Sequence, residues 1–264
     1  MEISQLPEEC ISLIISLTSP RDACRSALVS PLFRSVSDSD VVWERFLPPD
    51  YQKVISQAVV FPQTTFTKKS LYFHLSHYPI LIGDGNMSFS VERESGKKCY
   101  MVGARKLDIA WGDTPQYWKW ASLPDSRFLE VAILEHVWWL HVTAKLETEI
   151  LSPKTTYAAY LVFKLEENQY NFDRRPVELR VQLERREEME GFNAFLDPSS
   201  RNNINMSLIP RDRGDGWKEI EMGHFFNEDG EDGLVLCTLK EVSCSMSWSG
   251  LVVQGIELRP RAAA

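Results

Sequence analysis

The second half of this chain is organised around the stretch Ala104-Arg-Lys-Leu-Asp-Ile-Ala-Trp-Gly-Asp-Thr-Pro-Gln-Tyr-Trp-Lys-Trp120. Within it Leu107, Ile109 and Trp111 alternate with polar or small residues, and this period of two predicts a strand with one buried face. Gly112-Asp-Thr-Pro115 then predicts a turn. Three tryptophans and a tyrosine crowd this turn, which is more aromatic surface than a short loop needs.

Aromatic side chains beside polar ones are typical of a carbohydrate site. Aromatic rings cover the apolar C–H faces of a pyranose, while amide and carboxylate groups bind its hydroxyls. The turn offers Tyr117, Trp118 and Trp120 for the first purpose, and Asp113 and Gln116 for the second. The alternative for each tryptophan is packing in the core or in a hairpin, which is the commoner role near a strand end.

The same stretch resembles the opening motif of the Nictaba-related lectins, the phloem protein 2 family of plants. That motif reads Ala-Arg-x-Leu-x-Ile-x-Trp-x-x-x-Pro-x-Tyr-Trp-x-Trp, and every fixed position of it is present. Further family-like blocks follow in the right order, among them Val137-Trp-Trp-Leu140, Asp215-Gly-Trp-Lys-Glu-Ile220 and Gly255-Ile-Glu-Leu-Arg-Pro260. The resemblance therefore covers the chain from about Lys97 to Pro260.

This resemblance implies a jelly-roll β-sandwich that binds N-acetylglucosamine oligomers or the core of N-glycans without catalysis. The two binding tryptophans of the family correspond to Trp111 and Trp118. With the polar and aromatic neighbours of the turn, the expected carbohydrate contacts are Trp111, Trp118, Tyr117, Asp113 and Gln116.

One position departs from the family pattern. The lectins have a glutamate directly after a Gly-Glu-Asp-Gly loop, whereas this chain has Leu234 after Gly230-Glu-Asp-Gly233. The alternative function is therefore a sandwich that has lost carbohydrate binding and serves as a protein-interaction module.

The first 48 residues predict a cluster of short helices. Pro7 is expected at the first position of the first helix, with two carboxylates in the turn that follows. Ser19-Pro20 and Ser30-Pro31 repeat a side-chain cap followed by proline, and a fourth helix is expected from Asp40. Because the first helix is apolar nearly all round, a surface outside this small segment must cover its second face.

The same segment resembles an F-box through Leu6-Pro-Glu-Glu9, Ser19-Pro-Arg-Asp22, Val29-Ser-Pro-Leu-Phe-Arg34 and Val42-Trp-Glu44. That family implies docking on the Skp adaptor of the SCF ubiquitin ligases, and through the adaptor on a cullin. The adaptor would then supply the missing surface. Carried over position by position, the expected adaptor contacts are Leu6, Pro7, Ile11, Ile14, Leu28, Val29 and Trp43. For Ile14 and Trp43 the alternative is the internal core of the F-box.

Residues 49–88 are predicted to form a helical connector, with helices over Tyr51–Val59 and Thr67–Leu75. A helical connector fixes the orientation of the modules better than a flexible coil. His74 and His77 stand three residues apart, but no carboxylate or cysteine follows at a metal-binding spacing, so no metal site is expected.

From Met87 onward, period-two alternation predicts many short strands broken by turn residues, as in a β-sandwich. The clearest predicted strands are Trp138–Leu146, Tyr157–Leu165, Val177–Leu183, Leu234–Val242 and Leu251–Leu258. The expected fold class is an α+β multidomain chain with a three-to-four-helix F-box at 1–48, a connector at 49–88 and a jelly-roll β-sandwich at 89–261.

Composition restricts the possible partners and compartments. The net charge of -8 argues against a nucleic-acid-binding surface, and no apolar run approaches the ~20 residues of a membrane helix. The acidic N-terminus does not resemble a signal peptide, so a cytoplasmic and nuclear location is expected. Five cysteines without a Cys-x-x-Cys pair predict free buried thiols in a reducing compartment.

The sequence does not predict an enzyme. It contains no Gly-rich phosphate loop, no Gly-x-Ser-x-Gly motif and no zinc-binding spacing. Glu231 and Asp232 are adjacent and should point apart, whereas glycoside hydrolysis needs two carboxyl groups facing each other at ~5–10 Å. We therefore expect a non-catalytic receptor subunit without a cofactor, which binds an N-acetylglucosamine oligomer or a glycoprotein and presents it to the ligase.

Overall fold

A computed structural model describes residues 6–186, 190–197, 209–241, 243 and 246–261 of the chain. The chain divides into two compact units, one formed by Met1–Gly83 and Ser88–Cys99, the other by Asp84–Met87 and Tyr100–Ala264. No helix in the described ranges is both long enough and apolar enough to cross a membrane.

Six short helices open the chain, and three strands follow them. The helices are α1 (Glu8–Ser16), α2 (Pro20–Ser26), α3 (Pro31–Ser37), α4 (Asp40–Phe46), α5 (Tyr51–Ser56) and α6 (Lys68–His77). The strands are β1 (Ile80–Ile82), β2 (Met87–Val91) and β3 (Lys98–Gly103).

Side-chain caps start α2 and α3 where the sequence predicted them. The hydroxyl of Ser19 accepts the backbone N–H of Asp22 at 3.1 Å, and the hydroxyl of Ser30 accepts that of Phe33 at 3.2 Å. In each case the next residue is a proline that begins the helix. These caps occupy backbone donors that would otherwise lack partners, so two helices of only seven residues have defined starts.

Three local predictions are wrong. Pro7 lies one residue before α1, with the extended backbone of a cap residue (ψ 148°), rather than at its first helical position. α5 ends at Ser56 instead of Val59. The predicted connector also contains the strand Ile80–Ile82, which is too short for an alternation pattern to reveal.

Trp43 centres the core of the first unit. It is fully buried, its indole N–H donates to the carbonyl of Ser37 at 2.6 Å, and its ring lies 5.2 to 5.5 Å from the rings of Phe46, Tyr72 and Phe73. Trp43 is on α4, whereas Tyr72 and Phe73 are on α6. The predicted F-box helices and the predicted connector therefore share one core.

The second unit is built from antiparallel sheets. Its remaining strands are β4 (Asp108–Ile109), β5 (Trp118–Ala121), β6 (Val131–Leu134), β7 (Leu140–Glu147), β8 (Thr155–Tyr170), β9 (Val177–Leu183), β10 (Phe192–Ala194), β11 (Arg211–Asp212), β12 (Lys218–Asn227), β13 (Leu234–Glu241) and β14 (Ser249–Pro260). In one sheet β14 pairs with β3, β6 and β8, while β12 lies beyond β8 and β5 pairs with β6. The other sheet has the order β10-β9-β13-β7-β4.

The two sheets pack against each other through their apolar sides. At Gly223 of β12, an added Cβ atom would lie 3.1 Å from Cγ2 of Val181 on β9, in the other sheet. The centre of β8 is buried on both faces, as its unbroken apolar run predicted, and β9 alternates between buried and partly exposed residues. The α+β order of helices followed by antiparallel sheets is confirmed, and the jelly-roll connectivity stays a prediction.

Cys10, Cys24 and Cys237 are free thiols. Cys99 and Cys237 are buried, and burial raises the pKa of the Cys237 thiol to about 12. Cys24 is half-buried and Cys10 is exposed, so the prediction that the thiols are buried is wrong for Cys10. Cys244 lies outside the described residues.

A group of charged side chains is largely enclosed in the second unit around Glu257, which is 6% exposed. Arg213 Nη1 lies 2.7 Å from a carboxylate oxygen of Glu257 and 2.7 Å from one of Glu219. Arg259 and Arg127 approach the Glu257 carboxylate at 3.2 and 3.3 Å. Burial alone raises the pKa of Glu257, but the three guanidinium groups outweigh it, so its pKa lies below the ordinary value.

We predict that Glu257→Gln destabilises the protein strongly, because it leaves guanidinium groups in a low-dielectric site without their common anion. Loss of one partner of a buried ion pair costs on the order of 3–5 kcal/mol of unfolding free energy. Urea denaturation followed by circular dichroism measures this loss. The control is Glu228→Gln, whose pair with Lys154 lies in solvent, and which should leave the urea midpoint unchanged.

The stability effect of Glu257→Gln should also depend on pH. Because the folded pKa of Glu257 is below its ordinary value of 4.5, the carboxylate stabilises the fold fully above that pH, and this stabilisation is lost as the pH falls through the folded pKa. The stability gap between the parent protein and Glu257→Gln should therefore narrow as the pH falls below about 4.5. A gap that stays constant below that pH would contradict the assignment.

Candidate functional site

Trp111 is where the chain leaves the second sheet. β4 pairs with β7 only at Asp108 and Ile109, and the N–H of Ala110 adds one more bond to the carbonyl of His141 at 3.0 Å. At Trp111 the backbone turns to φ +63°, a region that bulky residues rarely adopt. The side chain is 56% exposed. The prediction that Trp111 continues the buried face of a strand is therefore wrong, because the positive φ turns it out to solvent.

Backbone hydrogen bonds hold the turn that follows Trp111. The N–H of Gly112 donates to the carbonyl of Ile109, that of Thr114 to Trp111, and that of Tyr117 to Thr114, each at 2.9 Å. An added Cβ atom at Gly112 would lie 3.1 Å from the carbonyl oxygen of Ile109, so a side chain at this position would crowd the turn. Trp111 therefore sits in a compact turn that its own backbone stabilises.

Two indole groups fix the backbone on either side of Trp111. The indole N–H of Trp118 donates to the carbonyl of Ala110 at 3.2 Å, and that of Trp120 donates to the carbonyl of Gly112 at 2.9 Å. Trp118 is only 2% exposed. The prediction that its ring contacts sugar directly is therefore corrected, since a buried ring offers no face to a ligand. Trp118 acts as a positioning residue for Trp111.

A shallow depression of about 140 Å³ lies beside Trp111 and is lined by Trp111, Tyr117, Val137, Trp138 and Trp139. The rings of Trp111 and Tyr117 meet edge to face, with centroids 6.1 Å apart. Trp138 is 54% exposed. The depression is therefore walled by aromatic rings, and Trp111 and Tyr117 are the two predicted contacts that it brings together.

Sequence reasoning missed Trp138 and Trp139 as site residues. The alternation that starts at Trp138 predicted an inward-facing side chain, but β7 begins only at Leu140, so the pattern does not apply to Trp138. The available signal was the block Val137-Trp-Trp-Leu140, which the family resemblance had already marked.

The segment that carries Trp138 is tied to the Trp111 turn. The carbonyl of Tyr117 accepts the N–H of Glu135 at 2.9 Å. Val137 and Trp248 exchange two backbone hydrogen bonds of 3.0 and 2.7 Å. The ring of His136 meets that of Trp138 edge to face at 6.0 Å. Two segments distant in sequence are thus held as one aromatic surface.

Asp113 and Gln116 lie on the same turn, with exposed side chains that do not line the depression. Neither makes a side-chain hydrogen bond or ion pair with another residue of the described ranges. Both can therefore bind hydroxyl groups of a ligand that extends past the depression. Among the residues that the structure describes, no cluster of three or more His, Cys, Asp or Glu side chains could hold a metal ion.

Leu234, the departure from the lectin pattern, lies far from this aromatic surface. In the pairing of β13 with β7, Leu234 faces Glu147 and Glu241 faces Leu140. Seven residues of β7 therefore separate the Leu234 end of the sheet from the Trp111 end, a length of about 24 Å. A leucine at this position does not alter the depression directly.

The loop before Leu234 is held by two arginine side chains. Arg186 binds both carboxylate oxygens of Asp232, at 3.0 and 2.9 Å, and Arg185 donates to the carbonyl of Glu231 at 2.7 Å. The Asp232 carboxylate is thus already engaged by the protein, which leaves it poorly suited to act on a sugar.

The predicted adaptor contacts divide into exposed and buried sets. Ile14, Leu28 and Val29 are exposed, with Leu28 at 79%, and they can contact a partner. Pro7 is exposed and Leu6 is half-buried. Ile11 and Trp43 are buried in the core. For Trp43 this is the alternative that the sequence left open, and for Ile11 the prediction of direct contact is corrected.

The two sides of α1 show why one helix supplies both sets. Ile11 and Ile15 face the core, while Leu13, Ile14 and Leu17 are exposed. Residues three or four apart share a helix face, so α1 has one apolar stripe packed on the first unit and another left in solvent. The described part of the chain does not cover this second stripe, as the sequence predicted.

Comparison with known proteins matches both regions of resemblance. A family model for phloem protein 2 matches residues 97–260, and a model for the F-box domain matches residues 3–45. An F-box protein of Arabidopsis thaliana is 45% identical over 259 residues, which are 97% of this chain and 79% of the relative. The F-box protein PP2-B10 of the same plant is 42% identical over 257 residues, or 96% of this chain and 92% of its own.

Among solved structures, a family 35 carbohydrate binding module from Clostridium thermocellum is similar over 61% of this chain and 96% of its own, at 8% identity and a TM-score of 0.34. A TM-score this low does not establish a common fold. The architecture of the second unit rests on its own strand pairing.

We predict that the two family tryptophans contribute very different amounts to stability. Trp118→Ala should lower the unfolding free energy by about 3–5 kcal/mol, because it empties a core position and removes the indole bond to Ala110. Trp111→Gly should change it by less than about 1 kcal/mol, since glycine adopts a positive φ without strain. Urea denaturation of the two variants measures both. Equal losses would mean that Trp111 is also part of the core.

Proposed function

Because the chain belongs to the F-box proteins of the phloem protein 2 family, we propose that it is the substrate-recognition subunit of an SCF-type ubiquitin ligase. The F-box would dock on the Skp adaptor, and through it on a cullin, while the sandwich binds N-acetylglucosamine-containing glycans on the protein to be modified. Ubiquitin transfer would be carried out by other subunits, so this chain performs no covalent step. Its free thiols are consistent with the reducing cytoplasm and nucleus, where such a ligase would act.

The proposal that the sandwich binds carbohydrate rests on Trp111, whose ring is exposed and whose backbone has a positive φ. A bulky residue in such a conformation costs about 1–3 kcal/mol, and it persists only where the surroundings enforce it. Here the indole bonds from Trp118 and Trp120 and the close approach at Gly112 enforce it. The fold is thus less stable than it would be with a relaxed backbone at Trp111, but it holds the Trp111 ring face in solvent. A platform on which a pyranose stacks requires such an exposed ring face.

The size of the depression indicates how a glycan would bind. At about 140 Å³ it is smaller than the ~300–1,000 Å³ of sites that enclose a drug-sized ligand, so it suits a single sugar ring. That ring would rest against Trp111 and Trp138, with Asp113 and Gln116 available to the hydroxyls of the next residue. A shallow contact of this kind gives dissociation constants of roughly micromolar to millimolar for one site.

The exposed apolar side chains of the F-box support the adaptor half. Ile14 on α1, and Leu28 and Val29 after α2, lie in solvent although their burial would be favourable. Exposed apolar groups of this kind mark protein interaction sites. A partner that covered them would also cover the second stripe of α1.

The second candidate function is recognition of a protein surface by the sandwich, without sugar. One observation of the structure favours it: Trp118, a sugar contact in the lectins, offers no ring face to a ligand. Exposed tryptophans are also frequent hot spots of protein interfaces. A partner that remains bound in excess chitin oligosaccharide would support this candidate.

The carbohydrate proposal predicts binding on a glycan array by the full-length protein. N-acetylglucosamine oligomers or N-glycan cores should be retained, and Trp111→Ala and Trp138→Ala should each weaken retention by about tenfold or more, because each removes one stacking face. Tyr170→Ala, which truncates a partly exposed aromatic residue outside the depression, should bind as the parent does. No retention by the folded parent would contradict the proposal.

The adaptor proposal predicts that the double substitution Ile14→Glu and Leu28→Glu weakens adaptor binding by about a hundredfold or more, since it sets two charges in an apolar interface. Leu129→Glu, an equally exposed apolar residue of the second unit, is the matched control. Titration calorimetry with purified adaptor measures the affinities. Unchanged binding by the double variant would reject this surface.

A further inference from the structure

A groove of about 410 Å³ lies within the first unit, and its lining residues come from outside α1. One side is formed by α2, through Arg21, Cys24 and Arg25, with Leu28 just beyond that helix. Phe73 of α6 and Arg93, in the turn between β2 and β3, also line it. Its volume is in the range of sites that bind a sizeable ligand, unlike that of the aromatic depression.

The groove is basic although the chain as a whole carries a net charge of -8. Three arginines and one glutamate line it. The Arg93 guanidinium has no ion pair or side-chain hydrogen bond with any residue in the described ranges. A cationic groove on an acidic protein attracts an anionic partner.

The other two guanidinium groups are available at little cost. Arg21 lies 3.7 Å from Glu94, with 55% and 66% of the two side chains exposed, and Arg25 lies 3.6 Å from Asp22 in a similarly exposed pair. Exposed pairs of this kind contribute little to stability. A carboxylate from a partner can therefore replace either of them, and it can bind a guanidinium through two parallel hydrogen bonds.

The groove also has an apolar side. Phe73 lies against the buried ring of Trp43 at 5.2 Å, which fixes its position, and Leu28 is almost fully in solvent at the edge. A small anion would leave this apolar surface wet. A ligand that carries an apolar side chain next to its charges would cover it.

The turn that presents Arg93 is already ordered. The Tyr72 hydroxyl hydrogen-bonds the carbonyls of Glu92 and Arg93, at 3.1 and 3.0 Å. The Glu92 carboxylate accepts the backbone N–H of Ser95 at 2.8 Å. Gly96 has φ +70°, and an added Cβ atom there would lie 2.3 Å from the carbonyl oxygen of Phe46. Binding would therefore lose little backbone entropy on this side.

We propose that this groove binds an acidic peptide segment of a partner protein, in which a large apolar side chain is flanked by carboxylates. The apolar side chain rests on Phe73 and Leu28, and the carboxylates on either side bind Arg93 across the groove and Arg21 and Arg25 along α2. The site is independent of the carbohydrate depression and needs no sugar. Because Leu28 is also an expected adaptor contact, the test changes only arginines.

The probe is a fluorescein-labelled peptide, Asp-Glu-Trp-Glu-Asp, added to the full-length protein. Fluorescence anisotropy should show saturable binding that weakens by about tenfold when the salt concentration rises from 0.05 to 0.5 M. The neutral peptide Asn-Gln-Trp-Gln-Asn should bind about tenfold or more weakly, as should Asp-Glu-Ala-Glu-Asp. Equal competition by inorganic phosphate at the same concentration would overturn the proposal in favour of a small-anion site.

The reactivity of the Cys24 thiol, which lines the groove, measures whether a peptide occupies it. Iodoacetamide modification, resolved by mass spectrometry of the peptides, should slow at Cys24 by about fivefold with saturating probe, because a bound peptide blocks the thiol. The exposed Cys10 in the same sample should react at an unchanged rate. Protection of both thiols, or of neither, would place the peptide elsewhere and overturn the proposal.

The variant Arg21→Gln, Arg25→Gln, Arg93→Gln should bind the probe about thirtyfold more weakly, since it removes every guanidinium of the groove. The matched control is Arg45→Gln, Lys53→Gln, Arg174→Gln, which makes the same charge change with exposed residues outside the groove. Equal losses in the two variants would show that only net charge matters, which the proposal excludes. Circular dichroism confirms that both variants fold.

Discussion

A chain that leaves a β-sheet must find new hydrogen-bond partners for its backbone, and in the second unit this constraint shapes the functional surface. At Trp111 the backbone abandons β7, and the carbonyls on either side of it would lack donors. The indoles of Trp118 and Trp120 supply those donors from the next strand. Because an indole has one donor and a large apolar body, Trp118 packs in the core while its N–H holds the turn, and half-buried Trp120 adds the second bond.

The two tryptophans of the family motif have different roles, since one is placed to contact a ligand and the other holds the turn in position. Trp111 is exposed and strained, whereas Trp118 is buried and satisfied. A substitution at either position could abolish ligand binding, one by removing the contact and the other by releasing the turn. Loss of binding alone therefore does not identify a contact residue, and stability must be measured with it. Val137 and Tyr117 extend the same logic, since their backbone bonds bring Trp138 beside Trp111.

The sequence predicts features that depend on local chemistry and misses those that depend on backbone geometry. Ser19 and Ser30 cap helices because a hydroxyl before a proline has few other uses, and β8 and β9 follow from periodicity. Trp111 was predicted on the buried face of a strand but is exposed, because a period of two assumes that each φ stays negative. Trp118 was expected as a sugar contact only from the family resemblance, and it is buried. Nothing in the residue type announces φ +63° at a tryptophan. The strand Ile80–Ile82 is too short to show a period at all.

Arginine shows how surroundings decide what a charge does in this protein. Arg213 is desolvated, and it is tolerated only because Glu219 and Glu257 meet it at 2.7 Å, so it is committed to the fold. Arg21 and Arg25 stay hydrated, and their carboxylate partners lie at 3.7 and 3.6 Å. These pairs therefore contribute little to stability, and a carboxylate of another molecule can replace either partner. Arg93 differs from both, because its backbone is fixed by a hydrogen bond while its guanidinium has no ion pair or side-chain hydrogen bond within the described chain. A guanidinium on an ordered backbone, with no partner in the described chain, suits recognition of an anion, because binding then orders only the side chain.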